Sequence, residues 1–495
     1  MESSFFDSSI FIIAREQWNS LAPFLVLFVG IFLATVLAAY RFGDRAQRAL
    51  LAIVYSVGIY VCLSKWNEPT QMLFGTSLEV GPVLKIFASI IFLCGLLCAF
   101  LVSTEKEDPH SEWSLLMLIA TLGMISLIGA RNWISFFVSL ETLSIPSYVL
   151  TAMYTRKSYS LEAGLKYLLM GSFASAFFLL GIATIYGLCG AFDYESLQGV
   201  LLDLSSQEKL LVSVATVILL SSFAFKIALI PFHMWAPDVY QGAPTGVAAF
   251  LGSTTKIALF VAVLMSFSRS GFYNLLLTKQ FFTLFGSLSI LVGSFLAISQ
   301  RGLKRMLAYS GIVHVGYVSL MLSHGESAIG SIAFYLTIYA LTFIGAFACI
   351  ESLMKELKHD HRDISIEHLD QAAKTASPLT IVSLCFFMFS LAGIPPLPGF
   401  FTKYTVLKDL YTGGDFLSFV LVLVGSFLGL AYYLRALIPL AFHDKISTEG
   451  ISTKPEKRGY RLGWLAFAVL LLTVAAMGSA QFFSEWVLVG ATSAR

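Results

Sequence analysis

Two apolar segments of the chain are interrupted by proline, and each carries a lysine, a side chain that can hold and release a proton. FAFKIALIPFHMWAPDVYQGAP places Lys226 five residues before Pro231. SLAGIPPLPGFFTKY places Lys403 five residues after Pro398. Proline removes a backbone donor and clashes with the preceding turn, so each helix is expected to break there. Matching breaks in two halves of a chain are typical of inverted-repeat transporters, although two packing kinks with lysines bound to carbonyl groups would give the same pattern.

Three more ionisable residues lie inside apolar runs. Glu141 lies in SLETLSIPSYVL, Lys256 in GSTTKIALF and His314 in AYSGIVHVGYVSL. A charge at membrane depth costs about 2.5–3.5 kcal/mol on insertion scales, so these groups are expected to face a protein interior or a wet cavity. Burial favours the neutral form of a lysine and a nearby carboxylate favours the charged form. Moving such a carboxylate would therefore switch a lysine between holding and releasing a proton.

Two candidate residues, Lys166 and His314, have plainer interpretations. Lys166 follows Glu162 by one helical turn, so the two side chains could form an ordinary surface ion pair. His314 could be a hydrogen-bonded core residue, although Tyr309, Ser310 and Tyr317 give it polar neighbours. For both residues the sequence leaves the functional and the structural interpretation open.

The composition identifies the kind of chain in which these residues lie. Of 495 residues, 57% are apolar and 13% are charged, whereas about 25% are charged in an ordinary soluble domain. The mean hydropathy of +0.79 exceeds what a single core can bury in water. These values exclude a soluble enzyme, a nucleic-acid-binding protein and a secreted scaffold. The chain is expected to be an all-α, polytopic membrane protein.

Apolar runs bounded by charged or turn residues predict about 14 transmembrane helices, each needing about 20 residues. Helices 7 and 12 contain the proline breaks. The predicted spans are 22–40, 49–64, 83–102, 113–130, 133–154, 162–188, 210–232, 240–267, 281–299, 303–323, 327–353, 377–411, 415–441 and 462–488. The longer polar connections fall near 190–209, 354–376 and 442–461, and none is long enough to separate soluble domains.

Basic residues predict the orientation of these spans. Connections after odd-numbered spans carry 18 Lys and Arg, whereas the opposite side carries 8. Cytoplasmic loops are enriched in Lys and Arg. The odd-to-even connections are therefore expected in the cytoplasm, with both chain termini on the periplasmic side.

No motif for a bound cofactor is visible in the sequence. The six cysteines lie in or beside apolar runs without a C-x-x-C pair, and neither GxGxxG after a strand nor GxxxxGK[ST] occurs. We therefore expect no NADH, flavin, ATP, metal or redox cluster in this chain. The cargo that its buried lysines, glutamate and histidine suit best is the proton.

Four stretches of the sequence resemble one known family. They are SLETLSIPSYVL, FKIALIPFHMWAPDVYQGAPTGVAAFLGSTTKIA, KRMLAYSGIVHVGY and SLAGIPPLPGFFTKYTVL. Together they resemble the antiporter-like membrane subunits of NADH:quinone oxidoreductase (complex I). PDVYQGAP and Lys256 are similar to the N branch of that family, whereas the L and M branches usually show a histidine-rich version of this helix. Gly246 is a departure, because the family commonly has a proline there.

The resemblance implies a fold and a role for each residue. It implies two inverted five-helix repeats, helices 4–8 and 9–13. The corresponding divisions are 1–112 for helices 1–3, 113–268 and 275–442 for the repeats, and 443–495 for a cytoplasmic loop and helix 14. Glu141 would modulate Lys226, a proton-holding lysine, and Lys256 with His314 would form a central relay. Lys403 would lie on the exit side, and Lys166 and His233 would lie along a hydrophilic axis.

The resemblance also implies partners and a location. NADH oxidation, FMN, iron–sulfur clusters and quinone reduction would belong to other subunits, and the chain would contact NADH and quinone only through the complex. Its neighbours in the lipid bilayer would be subunit M and the small subunits K and J, and nucleic acid would have no part. The membrane would be a cell inner (cytoplasmic) membrane.

Two rival interpretations stay open at this stage. The chain could be a subunit of a multisubunit cation/proton antiporter or of a membrane-bound hydrogenase, both of which share the ancestral fold. Alternatively, it could only bridge partner subunits, with its buried charges locked in permanent pairs. Copurifying antiporter subunits would favour the first rival, whereas peripheral NADH dehydrogenase subunits would favour a complex I subunit. Proton pumping that persists after the lysines are neutralised would favour the second rival.

Overall fold

A computed structural model describes residues 15–102, 112–357, 362–441 and 457–478. Within these ranges the chain forms eighteen α-helices and one antiparallel hairpin, β1 (Gln71–Leu73) and β2 (Leu78–Val80). The first nine helices are α1 (Arg15–Ala39), α2 (Asp44–Ser64), α3 (Pro82–Leu101), α4 (Trp113–Gly129), α5 (Trp133–Thr151), α6 (Ser158–Cys189), α7 (Tyr194–Asp203), α8 (Ser206–Ile227) and α9 (Trp235–Gly242). The other nine are α10 (Thr245–Arg269), α11 (Leu276–Ser299), α12 (Leu303–Leu322), α13 (Ile329–Glu356), α14 (Leu369–Thr375), α15 (Pro378–Ala392), α16 (Pro398–Thr412), α17 (Phe416–Ala441) and α18 (Lys457–Gly478).

The expected all-α membrane architecture is confirmed. Each predicted span overlaps a helix. Predicted helix 12 divides into α15 and α16, whereas predicted helix 7 corresponds to α8, and the residues after its break form α9 beyond the predicted end at 232. Among the described residues, ten helices are long and apolar enough to cross a membrane, and three shorter helices are also apolar. The number of fourteen spans, the two inverted repeats and the division of the chain into four parts stay predictions.

Several predicted boundaries differ from the structure. The predicted span 240–267 begins too early, because residues 240–242 belong to α9 and α10 begins at Thr245. The connection near 190–209 contains α7, which buries Tyr194, Leu197 and Leu201 along one face, and the connection near 354–376 contains α14. The end of the predicted last span (479–488) and the two chain ends lie outside the described residues.

The two breaks begin in the same way. α8 is followed by Ala228 with a φ of 63°, and α15 is followed by Gly393 with a φ of 81°. A left-handed residue ends a helix because it turns the next peptide away from the axis, and glycine adopts this conformation at little steric cost. A proline-containing segment then leads into a second half-helix, which begins at Trp235 in one case and at Pro398 in the other.

Helices α10, α12 and α13 form the centre of the bundle. Nearly all their side chains are buried. α13 packs against α10, α15 and α18, and α12 packs against α11. Lys256 and His314 therefore lie on the most buried helices of the bundle.

Gly246 marks a close approach between two helices. A Cβ at this position would lie 2.4 Å from the backbone nitrogen of Val102 and 2.7 Å from the carbonyl carbon of Leu101. Backbone at the end of α3 cannot yield as a flexible side chain can. The proline that is common at this position in the resembling family would place a Cβ in the same space, so this chain requires glycine.

We expect Gly246→Ala to lower the free energy of unfolding by about 1–3 kcal/mol, the usual cost of overpacking a core. The control is Gly187→Ala in α6, where a Cβ meets nothing within 4 Å. That change should be neutral or stabilising, because alanine favours helix over glycine by about 1 kcal/mol. Thermal unfolding of the detergent-solubilised protein measures both variants. Equal stability of the two would contradict the close packing described for Gly246.

Candidate functional site

Lys226 lies in the last turn of α8 and reaches toward α5. Its Nζ donates hydrogen bonds to the hydroxyl groups of Ser144 at 2.8 Å and Tyr148 at 3.0 Å. The carboxylate of Glu141 lies 3.6 Å away and accepts a 2.6 Å hydrogen bond from Ser175 of α6. Glu141, Ser144 and Tyr148 are spaced three and four residues apart, so they lie on one face of α5. The predicted Glu141–Lys226 pair is thus an ion pair in a polar pocket.

Lys256 lies in the middle of α10, where its ammonium group meets two other helices. Its Nζ donates a 3.0 Å hydrogen bond to the carbonyl oxygen of Gly311 on α12 and a 3.2 Å hydrogen bond to the hydroxyl of Tyr339 on α13. The same atom lies 5.2 Å from the ring centre of Tyr339 and 5.9 Å from that of Phe343. Only 3% of Lys256 is exposed. These hydrogen bonds join Lys256 to neutral acceptors.

His314 lies one turn beyond Gly311 on α12 and contacts three tyrosines. Its Nδ1 lies 2.6 Å from the hydroxyl of Tyr335, and its Nε2 lies 3.4 Å from the hydroxyl of Tyr433. The ring of Tyr339, which also binds Lys256, has its centre 4.9 Å from that of the imidazole. Lys256 and His314 therefore share Tyr339 as a common neighbour, which brings the predicted central relay together.

Lys403 lies in the second turn of α16 and donates a 2.8 Å hydrogen bond to the carbonyl oxygen of Ala392, the last residue of α15. Its Nζ lies 5.6 Å from the ring centre of Tyr317, whose ring in turn lies 5.9 Å from that of His314. The buried rings between these basic groups form a set that we call the tyrosine cluster: Tyr317, Tyr335, Tyr339, Tyr432 and Tyr433. The tyrosine cluster fills the space from Lys256 to Lys403.

Lys166 lies apart from these buried groups. Its side chain is 43% exposed and binds Glu162 at 2.7 Å and Asp238 at 2.9 Å. Asp238 also binds Arg305 of α12 at 2.5 Å. The predicted pair with Glu162 is therefore present, within a polar crevice between α6 and α9. The loop residue Asp363 extends this network toward α12, because its carboxylate accepts hydrogen bonds from the Gln241 side chain at 3.1 Å and from the Lys304 backbone at 2.8 Å. Burial raises the pKa of this carboxyl group.

His233 lies within the break between α8 and α9. It is 8% exposed, and its ring centre lies 6.3 Å from that of Tyr309. Its buried Nδ1 has no hydrogen-bond partner among the described residues. The structure therefore places His233 on the α12 side of the first break, while the role suggested by the resemblance stays a prediction.

The sequence indicated the ionisable residues but not most of their partners. Ser144 and Tyr148 could have been found, since their spacing from Glu141 puts them on its face. Tyr335 and Tyr433 gave no such signal, because a tyrosine in an apolar run resembles any other core aromatic residue. Groups of three or more potential metal ligands are absent from the described part of the chain.

The chain is similar in sequence and fold to known membrane proteins. The family model described as NADH:quinone oxidoreductase/Mrp antiporter, TM, matches residues 130–429. NADH-quinone oxidoreductase subunit N of Psychrobacter arcticus is 35% identical over 85% of this chain and 86% of that protein. A chain of respiratory complex I from Thermus thermophilus, solved with bound aureothin, has a TM-score of 0.75 and 31% identity, covering 93% of this chain and 96% of that one.

The fold is also shared more widely. A chain of the Mrp complex from Dietzia has a TM-score of 0.81 at 20% identity, covering 96% of this chain and 97% of that chain. At this identity the likeness concerns the fold alone. The family model covers more than half of the chain, and the relatives at 31–35% identity are matched over most of their length. The chain therefore belongs to the NADH-quinone oxidoreductase subunit N family.

Proposed function

We propose that this chain is a proton-translocating membrane subunit of an NADH:quinone oxidoreductase and that its buried lysines carry the proton. The observation that supports this proposal most directly is the series of basic groups joined by the tyrosine cluster inside an apolar bundle. From Lys256 the contacts run through Tyr339 to His314 and through Tyr317 to Lys403. Buried ionisable groups of this kind are costly in a membrane protein, and they usually mark ion or proton pathways.

The three lysines differ in the groups that stabilise their charged form. Lys226 lies beside the Glu141 carboxylate, whereas the hydrogen bonds described for Lys256 and Lys403 go to carbonyl and hydroxyl oxygens. A buried ammonium group costs less beside an opposite charge than beside neutral acceptors. The Glu141 carboxylate therefore stabilises the ammonium group of Lys226, and weakening this pair would release a proton toward the second half of the chain.

The same proposal assigns the remaining chemistry to other subunits. NADH oxidation, FMN, the iron–sulfur clusters and quinone reduction belong to partner chains, and this chain lies beside subunits M, K and J in a cell inner membrane. Residues 113–268 and 275–442 act as two inverted repeats, flanked by 1–112 and 443–495. Lys166 and His233 serve the first repeat near the side that the basic residues assign to the cytoplasm.

The antiporter alternative receives less support. The likeness to the Mrp complex is at 20% identity and concerns the fold, whereas the subunit N relative is 35% identical over most of the chain. Purification from native membranes distinguishes the two alternatives. Peripheral NADH dehydrogenase subunits should copurify with the chain, and copurifying antiporter subunits would overturn the proposal.

Glu141→Gln should stall proton translocation while the complex still assembles. At an effective dielectric constant of about 20, two unit charges 4 Å apart attract by about 4 kcal/mol. Without that attraction Lys226 would give up its proton, and we expect translocation to fall by at least about tenfold, or 1.4 kcal/mol. The measurement is quinone-linked proton pumping in membrane vesicles, normalised to assembled complex.

Glu208→Gln is the matched control for this experiment. Glu208 lies at the exposed start of α8, and it caps the helix together with Ser205, a role that glutamine can also fill. Pumping should be unchanged in the control. Full pumping in Glu141→Gln would contradict the proposed role of the ion pair.

Tyr339→Phe tests the connection between Lys256 and His314. The change removes the hydroxyl that accepts from Lys256 but keeps the ring that packs on the imidazole. We expect pumping to slow by roughly tenfold, since positioned proton-transfer groups contribute about 10²–10⁴-fold. Tyr55→Phe is the control, because Tyr55 is equally buried but binds Thr121 between α2 and α4. Equal effects of the two changes would indicate a packing role for Tyr339.

Orientation can be tested at two exposed glycines where a new side chain meets nothing within 4 Å. Gly43 lies between α1 and α2, on the side that the basic residues assign to the cytoplasm, and Gly199 lies in α7 on the other side. An impermeant maleimide should label Gly199→Cys in intact cells and Gly43→Cys in inverted vesicles, while opened membranes should give both labels. The reverse pattern would place the chain termini on the cytoplasmic side.

A further inference from the structure

A second buried charged group lies at the far end of the core helices from the tyrosine cluster. Glu351, near the end of α13, is 1% exposed and binds Lys355 at 2.6 Å. The hydroxyl of Thr245, at the start of α10, lies within hydrogen-bonding reach of the same carboxylate, and Lys304, near the start of α12, is close enough to interact with its charge. Lys304 is fully buried. We call these four residues the Glu351 group.

The Glu351 group is in line with Lys256 along two of the core helices, α10 and α12. Lys256 follows Thr245 by eleven residues on α10, which is three turns, or about 16 Å along the axis. Gly311, the carbonyl acceptor of Lys256, follows Lys304 by seven residues on α12, or about 10 Å. Tyr339, Phe343 and Phe347 precede Glu351 at intervals of four on α13. On α10 and α12 a member of the Glu351 group therefore lies on the face that, two or three turns away, contacts Lys256, and on α13 Phe343 and Phe347 fill the turns between Tyr339 and Glu351.

Two phenylalanines close the space between the Glu351 group and Lys256. Phe343 and Phe347 are fully buried, and their ring centres are 4.7 Å apart. Phe343 packs against Gly252 of α10 and lies 5.9 Å from the Nζ of Lys256. An apolar plug thus separates two polar sites that the same helices align.

We propose that Glu351 is the carboxyl group that delivers protons to Lys256 from the side of the membrane that the basic residues assign to the cytoplasm. This inference rests on the proposed function and adds a proton-loading residue to it. The carboxylate takes a proton from water and becomes a neutral carboxyl group. When water passes Phe343 and Phe347, the proton moves to the Lys256 amine, which restores the carboxylate and forms the ammonium ion without a change in electron count.

The composition of the Glu351 group supports this role over that of a surface pair. An exposed i,i+4 pair contributes little to stability, whereas a buried carboxylate with two lysines must offset a large desolvation cost. Lys304 and Lys355 keep the anion available as an acceptor inside the bundle. Thr245 provides a hydroxyl at the point where α10 begins.

The test compares Glu351→Gln with Glu356→Gln in vesicles that contain the assembled complex. Glu356 lies on the same helix and is also buried, but its carboxylate accepts hydrogen bonds from the Ser377 backbone at 2.8 Å and the Ser352 hydroxyl at 2.9 Å. A glutamine can keep both contacts, because its oxygen can accept from the Ser377 backbone while its amide nitrogen donates to the Ser352 hydroxyl. We expect proton translocation to fall at least about tenfold in Glu351→Gln, to recover partly in Glu351→Asp and to stay unchanged in Glu356→Gln.

Lys256→Ala, measured in the same vesicles, separates the two proposals. If Lys256→Ala stalls pumping and Glu351→Gln does not, the loading role is overturned and the proposed function stands. If Lys256→Ala pumps normally, the proposed function itself fails.

Labelling of the unmodified complex with dicyclohexylcarbodiimide decides the case in which Glu351→Gln does not assemble. This reagent adds to carboxyl groups that carry a proton. A loading carboxyl group spends part of its time protonated, so mass spectrometry should find the adduct on Glu351, whereas a permanently charged pair should stay unlabelled. An unlabelled Glu351 would overturn the inference.

Discussion

The cost of burying an ammonium group in an apolar bundle is the constraint on which the rest of this structure depends. Each buried lysine must find an acceptor, and the structure provides three kinds: a carboxylate for Lys226, a carbonyl and a phenol for Lys256, and a helix-end carbonyl for Lys403. These acceptors differ in how well they stabilise charge. The unequal partners give the buried lysines unequal affinities for a proton, which directional transfer requires.

The two helix breaks differ in which group binds the backbone carbonyl at the end of the first half-helix. A broken helix leaves carbonyl groups without partners at the end of its first half. After α15 Lys403 itself binds such a carbonyl, that of Ala392. At the end of α8 the indole nitrogen of Trp235 binds the Phe225 carbonyl at 2.8 Å, and Lys226 turns toward Glu141 instead. A tryptophan contact in the first break therefore leaves one lysine available for an ion pair, while the second break uses its lysine to satisfy the backbone.

Features that depend on residues close together in the sequence were predictable. Proline spacing gave both breaks, and the apolar runs gave the helices. The pair of Glu141 with Lys226 is also present as expected. The tyrosine cluster was not predictable, because it depends on contacts such as Ser310 with Tyr433 that join residues 123 positions apart. Charge patterns near helix ends were ambiguous too. Lys304 and Lys355 belong to the basic residues that predict the orientation of the spans, yet Lys304 is fully buried and the Lys355 side chain is 9% exposed.

The apolar plug at Phe343 and Phe347 is consistent with a pump rather than a channel. A continuous chain of hydrogen bonds across the membrane would let protons flow back down their gradient, so a pump must keep at least one segment closed at any time. In this structure one hydrogen bond and a series of ring contacts join Lys256 through Tyr339, His314 and Tyr317 to Lys403, whereas the apolar rings of Phe343 and Phe347 lie on the side of Glu351. The described conformation therefore connects Lys256 toward the second break while separating it from Glu351.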